Sequence, residues 1–156
     1  MNKIDPEIVE FIKENRTANI ACALDNEPYA FSCFYAFLED KGCLVFKSSL
    51  STKHAEMMLQ NRRVAGTIIP EKLKMTSIKG IQLEGLILDE EHSFFSKALA
   101  SYYLSYPFAT AMDGRLWVLK IDSIKFTDNT RGFGFKQSWK RKKDAPLTQN
   151  DKVKFM

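Results

Sequence analysis

The 156-residue sequence has few of the residues that build metal sites or disulfide frameworks, and no stretch that spans a membrane. Its three cysteines, Cys22, Cys33 and Cys43, form no C-x-x-C pair, and its two histidines, His54 and His92, lie in no metal-ligand spacing. No apolar run approaches the roughly 18 residues of a membrane helix, and the N-terminus is charged where a signal peptide is apolar. We therefore expect a cytoplasmic protein with reduced thiols, no metal and no membrane partner.

The glycine-rich loops of nucleotide-binding folds are also missing. The Gly132-Phe133-Gly134 segment lacks a third glycine at the required spacing, follows a loop, and is not followed by Lys-Ser or Lys-Thr. This excludes both the dinucleotide fingerprint and the P-loop as interpretations of the segment.

The basic character of the chain comes from one end. The formal net charge is +4, and residues 140–156, with six basic and two acidic side chains, account for all of it. Residues 1–139 are neutral overall, so the surplus does not describe a face that binds nucleic acid. We expect one globular domain over residues 1–139, a basic and flexible tail over 140–156, and no nucleic-acid partner.

The hydrophobic pattern predicts short strands interrupted by two to three helices. The predicted strands are Ala18–Leu24, Tyr29–Phe37, Cys43–Ser48, Val64–Ile69, Ser77–Leu88, Leu116–Ile121 and Ile124–Thr127. The predicted helices start at Pro6 after an Asp5 cap, cover Thr52–Asn61 after a Ser51 cap, and cover Glu90–Tyr103. Short polar turns between the first three strands require antiparallel neighbours, and Gly80 and Gly85 indicate bulges or close backbone approaches. The predicted class is mainly β within α+β, a small antiparallel barrel or sheet.

One segment concentrates groups that hold anions. Between the third strand and the second helix, residues 46–54 read Phe-Lys-Ser-Ser-Leu-Ser-Thr-Lys-His, with four hydroxyls, two lysines and a histidine. The free N–H groups at a helix start favour phosphate, and Lys53 adds a charge near the first turn. The same pattern also suits an ordinary capped helix, in which His54 is a surface residue, so both interpretations stay open.

Aromatic side chains form the second candidate feature. Phe31, Phe34 and the neighbouring aromatics suit either a planar cofactor or a half-buried strand. Trp139, near the end of the predicted domain, suits either a ligand contact or packing against the barrel. Cys33 is interpreted as a small buried hydrophobe, because no base adjoins it in the strand.

The order of these elements resembles the pyridoxamine-phosphate-oxidase-like FMN-binding split barrels. The likeness covers residues from about 17 to 139. It rests on the segments Thr17–Cys22, Glu27–Tyr29, Gly42–Ser48, Ser51–His54 and Asn61–Gly66. The closing stretch Ile124–Gly134, with Lys136 and Trp139, closely resembles the poorly characterised YhbP-like branch.

The resemblance implies a six-stranded antiparallel split β-barrel with flanking helices that forms a homodimer and holds two FMN molecules at the interface. It assigns the phosphate to Thr52 and Lys53 and the flavin ring to the strand from Phe31 to Ala36. The cofactor-binding residues expected on this basis are Phe31, Ser32, Cys33, Phe34, Phe46, Lys47, Ser48, Thr52, Lys53, His54 and Trp139. Asn129, Thr130 and Lys136 are candidates for a site particular to the branch.

Two departures argue against pyridoxamine phosphate oxidation itself. Phe31 and Ala36 stand where the oxidase has basic residues, and the C-terminal Arg-x-His-type motif is missing. Two functions stay open: an FMN-dependent oxidoreductase acting on an unknown small substrate, and a non-catalytic module that binds flavin or haem. No catalytic residue is assigned.

Overall fold

The computed structural model describes residues 2–143. The helices are α1 (Pro6–Glu14), α2 (Lys53–Gln60) and α3 (Phe95–Ser105). The strands are β1 (Thr17–Leu24), β2 (Glu27–Leu38), β3 (Cys43–Ser48), β4 (Arg63–Ile68), β5 (Lys79–Ile87), β6 (Arg115–Asp128) and β7 (Lys136–Lys140). Within this part of the chain, no helix is long and apolar enough to cross a membrane.

The strands pair in the order β3-β2-β1-β4-β5-β6-β7, and every pairing is antiparallel. β6 also pairs with β3, from Cys43 opposite Lys120 to Ser48 opposite Arg115. This extra pairing closes β1 to β6 into a ring, to which β7 adds along the second half of β6. The six-stranded antiparallel barrel expected from the sequence is confirmed.

β2 changes its neighbour part way along, and this opens the barrel wall. Its residues Glu27–Phe34 pair with β1, whereas Tyr35–Leu38 pair with β3. β3 continues past Phe46 through two residues that pair only with β6. β2 and β3 therefore separate beyond the pair Tyr35 and Phe46, and a gap lies between them.

Two hydrophobic cores hold the fold together. The larger core fills the barrel and extends to α1, whose Ile8 and Ile12 are fully buried. α1 begins as predicted, with Pro6 in its first turn and the Asp5 carboxylate accepting a hydrogen bond from the Glu7 N–H. The smaller core lies under α3 and includes Tyr102. Burial of one aliphatic side chain such as Ile8 contributes about 1.5–3 kcal/mol to the stability of the fold.

The third helix was predicted from Glu90 but begins at Phe95. The preceding residues make turns instead: the His92 N–H donates to the Asp89 carbonyl, and the Phe94 N–H donates to Nδ1 of His92. These local hydrogen bonds satisfy the backbone without a helix, which delays its start.

β6 runs unbroken through Asp122 and Ser123, where the sequence predicted two separate strands. Its pairing with β5 shifts register between Glu84 and Gly85, as a β-bulge does. A Cβ at Gly85 would lie 2.3 Å from the Lys120 carbonyl oxygen, so the close backbone approach predicted there is confirmed. A Cβ at Gly80 would meet nothing nearer than 3.4 Å.

β7 was not predicted, and it carries the domain past residue 139. Lys140 is its last residue, and the Arg141 guanidinium donates to the carbonyl oxygens of Lys41, Gly42 and Ile121. The start of the predicted flexible tail is thus part of the barrel edge. Residues 144–156 of that tail lie outside the described residues.

Candidate functional site

A cavity of about 760 Å³ lies at the gap between β2 and β3. β2 forms one wall from Phe31 to Phe37, the end of β3 a second, and residues 102–113 a third. The aromatic side chains that contact it include Phe31, Phe34, Tyr106 and Phe108. Its volume lies within the roughly 300–1,000 Å³ typical of small-molecule sites, and aromatic walls suit a planar ligand.

Seven of the eleven predicted cofactor-binding residues line this cavity. They are Phe31, Ser32, Cys33, Phe34, Lys47, Ser48 and His54. Burial raises the pKa of the Cys33 thiol to about 12, so this thiol stays protonated at neutral pH. The structure brings these side chains together, while their role as cofactor contacts stays a prediction.

His54 connects the wall of the cavity to the start of α2. Its ring stacks on Phe31 with centroids 3.8 Å apart, and its Nε2 lies 2.5 Å from the Ser48 hydroxyl oxygen. Burial lowers the pKa of His54, which favours the neutral imidazole at physiological pH.

Thr52 caps the helix start beside His54, whereas the sequence predicted Ser51 as the cap. The Thr52 hydroxyl accepts from the Ala55 N–H and donates to the Ser49 carbonyl, which ties the turn to the helix. Thr52 takes the cap because its side chain reaches the third N–H of α2, the usual geometry of an N-cap. Within residues 2–143, the N–H groups of Lys53 and His54 have no acceptor, so this positive helix end can receive an anion.

The two predicted lysines have different surroundings. The Lys53 ammonium is exposed and lies 5.0 Å from the ring centroid of Tyr29. The Lys47 ammonium donates to the carbonyl oxygens of Ala109, at 2.6 Å, and Met112. Lys47 thereby ties the end of the 3-10 turn Pro107–Ala111 to β3, and its ammonium is committed to these two carbonyl oxygens.

Two predicted residues lie away from the cavity wall. Phe46 is fully buried and supports Phe31 from behind, with ring centroids 5.7 Å apart. Trp139 belongs to the main core, and the Arg141 guanidinium lies 5.4 Å from its ring. Trp139 thus packs against the barrel, and a contact with a ligand stays a prediction.

The residues proposed for a branch-specific site hold a turn. Asp128 is buried and accepts hydrogen bonds from the backbone and hydroxyl of Thr130. Asn129 accepts from the Ile78 N–H through its side chain, and Lys136 is exposed at the start of β7. Asn129 and Thr130 therefore use their side chains to fasten loops together, and none of these residues lines the cavity.

Several wall residues were not predicted from the sequence. Arg16 lies just before β1, and Tyr102, Tyr106 and Phe108 come from α3 and the turn that follows. The Tyr106 hydroxyl donates to the Tyr35 carbonyl oxygen at 2.7 Å, which fixes the turn against β2. The density of aromatics over residues 102–108 is the one signal that could have indicated this wall.

Comparisons with solved structures define the class of protein. A haem-binding protein from Mycobacterium smegmatis superposes with a TM-score of 0.71 at 18% identity, over 88% of this chain and 59% of the other. An FAD-binding protein from Mesorhizobium loti superposes with a TM-score of 0.63 at 18% identity, over 81% and 96%. At such identities the likeness concerns the fold, and the chain is a split-barrel protein.

Sequence comparison gives the family. The chain is 34% identical over 143 residues to a UPF0306 protein of Haemophilus ducreyi, covering 90% of this chain and 98% of the relative. It is 34% identical over 134 residues to one from Photorhabdus laumondii, covering 86% and 94%. The chain belongs to the UPF0306 family. A scan against family models found no match.

Proposed function

We propose that the protein binds FMN in the cavity between β2 and β3, with the phosphate on the Ser49–Lys53 turn and the flavin ring along β2. The observation that carries the proposal is the junction of two features, an aromatic-walled cavity and an anion-binding helix start. Ser48 and His54 form that junction, since they line the cavity and adjoin the turn in sequence.

The turn has the donors that a phosphate needs. Two backbone N–H groups of α2 point out of its first turn, and the hydroxyls of Ser49 and Ser51 lie 2.9 Å apart beside them. Lys53 forms no ion pair with a carboxylate of the described chain, so its charge is available to the phosphate.

The cavity has the length and the walls for a flavin ring. From Phe31 to Tyr35, β2 covers about 13 Å at roughly 3.3 Å per residue. Phe34 offers an apolar ring face along this stretch. A bound flavin would supply hydride or electron transfer, and the chain would orient it and a substrate.

FMN is favoured over haem by the surroundings of the histidines. Haem iron commonly takes a histidine nitrogen as its axial ligand. In the cavity, His54 has Nε2 bonded to Ser48 and one ring face covered by Phe31. His92 accepts a hydrogen bond from the Phe94 N–H and does not line the cavity. Haem binding stays the second candidate, because the Mycobacterium smegmatis neighbour is a haem-binding protein.

We also propose that two copies of the chain complete the site, as the resemblance to the FMN-binding split barrels implies. Around the cavity, Phe34, Phe108 and Met112 are 62%, 68% and 58% exposed. All three line the same cavity and so form one apolar patch, and contiguous apolar patches of this kind mark surfaces that a partner covers.

An FMN titration with an absorption spectrum tests the cofactor. Wild-type protein should turn yellow with flavin bands, and Lys53→Ala should weaken FMN binding by about 1–3 kcal/mol, the contribution of a charge-assisted hydrogen bond. Lys72→Ala, which changes an exposed lysine outside the cavity, is the control. A Soret band from the purified protein, or equal affinities of wild type and Lys53→Ala, would contradict the FMN assignment.

Catalysis is tested separately from binding. FMN-loaded protein should oxidise a reduced nicotinamide under air or with an added acceptor if the site serves an oxidoreductase. Protein that binds FMN and shows no such turnover would favour the non-catalytic module.

A further inference from the structure

Arg16 lines the cavity beside Tyr35 of β2. Its carbonyl oxygen accepts a hydrogen bond from the Tyr35 N–H at 2.9 Å, which fixes the residue opposite that part of β2. Phe31, the residue that stacks on His54, is four positions away along β2, about 13 Å. The Arg16 backbone is therefore anchored about 13 Å along β2 from the residue that contacts the start of α2.

The other cations of the cavity wall are already committed. Lys13 pairs with Glu39, and the Lys47 ammonium is bonded to two carbonyl oxygens. The Arg16 guanidinium, by contrast, makes no ion pair and no hydrogen bond with any group of residues 2–143. It is exposed and lines the cavity with all of its donors free for a ligand.

The groups around Arg16 fit a planar anion. Tyr106 and Phe108 line the same cavity, and Phe108 is mostly exposed, so these two rings can contact a flat organic molecule beside the flavin. A guanidinium presents paired N–H groups that match the two oxygens of a carboxylate or the oxygens of a phosphate. Burial raises the pKa of Tyr106, the Arg16 charge lowers it, and the Glu71 charge raises it, so both charges lie near the Tyr106 hydroxyl. Glu71 forms no ion pair with Arg16.

We infer that Arg16 binds the oxyanion of a small planar organic substrate, a carboxylate or a phosphate monoester, at the end of the cavity opposite the FMN phosphate. The inference rests on the proposed function, because it assigns the substrate of the same cavity. Arg16 is then a binding residue for substrate, and FMN binding does not depend on it.

Calorimetric titration of FMN-loaded protein with benzoate, phenyl phosphate and neutral benzamide tests this inference. Benzoate or phenyl phosphate should bind, and Arg16→Gln should weaken that binding by about 10- to 100-fold, as expected for a lost charge-assisted pair. The affinity for FMN should stay the same in Arg16→Gln. Arg63→Gln, an exposed arginine outside the cavity, is the matched control. The tighter of the two anions identifies the carboxylate or the phosphate as the preferred group.

Benzamide that binds as tightly as benzoate, or Arg16→Gln that binds both anions like wild type, would overturn the assignment. Failure of the wild type to bind FMN would count against the proposed function alone. The same anion titrations on cofactor-free protein would then decide the role of Arg16. Anion binding that is weakened in Arg16→Gln but not in Arg63→Gln would support the assignment, and a wild type that binds neither anion would refute it.

Discussion

His54 is the side chain on which the two halves of the site meet. It begins α2, stacks on Phe31 of β2 and bonds to Ser48 of β3, so three elements depend on its position. A charged imidazolium in the same place would lose hydration that the cavity wall does not replace, which is why its pKa is lowered.

This lowered pKa makes stability depend on pH. The unfolded chain takes up the His54 proton near pH 6.5, before the folded chain does, so acid favours unfolding. The contribution of neutral His54 to the free energy of unfolding is fully present above pH 6.5. It is lost as the pH falls through the lower pKa that His54 has in the folded chain. We expect the melting temperature to drop less between about pH 7.5 and about pH 5.5 in His54→Gln than in wild type.

His92→Gln is the control for this measurement, because His92 lies outside the cavity. If the melting temperature of His54→Gln falls as much as that of wild type, groups other than His54 cause the pH dependence. Scanning calorimetry of the three proteins at matched ionic strength makes the comparison.

Among the elements, β5 and β6 approach each other very closely at one point. The bulge at Gly85 lets the β5 backbone approach β6 so closely that no side chain fits. Gly80, on the same strand, has ordinary clearance, so the two glycines allow a controlled comparison.

Gly85→Ala should destabilise the fold by about 1–3 kcal/mol, because its Cβ would overlap the Lys120 carbonyl oxygen and the backbone would have to move. Gly80→Ala should stay within about 0.5 kcal/mol of wild type, as substitutions without a clash do. Urea unfolding measures both changes. Equal midpoints for the two variants would show that the bulge adapts.

The elements that the sequence predicted are those with local signals. Asp25 and Asn26 adopt positive φ values of 51° and 65°, as a tight hairpin requires. Because Asp and Asn are typical of such turns, the sequence predicts this hairpin. β7 has no such signal. Its inward residues are Trp139 and Gln137, and Gln137 is placed by a hydrogen bond to Glu7 of α1, which no alternation of apolar residues indicates.

The same distinction applies to the site. Ser48, Thr52 and His54 are close in sequence, so their proximity was predicted. Arg16 and the turn around Phe108 reach the cavity only through tertiary packing, in which the Tyr106 hydroxyl and the Lys47 ammonium anchor the turn. Lys47 was expected beside a phosphate, because its sequence position does not reveal that a distant turn needs its ammonium.

At the scale of the whole molecule, the exposed apolar residues around the cavity favour self-association. We expect the protein in solution to have twice the 17.9 kDa mass of one chain, measured by size-exclusion chromatography with light scattering. Phe34→Glu should shift it to the monomer and weaken FMN binding, because it puts a charge into the proposed interface. Leu104→Glu, which changes an exposed residue of α3 that does not line the cavity, should leave the mass unchanged. A wild-type monomer that binds FMN would contradict the shared site.

The closure of the ring by β3 and β6 also determines the order in which the molecule can fold. The pairs Cys43 with Lys120 and Ser48 with Arg115 join segments far apart in the chain, whereas the hairpins β1–β2, β2–β3 and β4–β5 join neighbours. Contacts between distant segments form slowly, since the entropy of closing a long loop must be overcome first. We therefore expect the β3–β6 seam to be the last to assemble in refolding. Ser48 lies at the end of that seam and lines the cavity, so we expect a refolding chain to complete the proposed FMN site only in the final kinetic step.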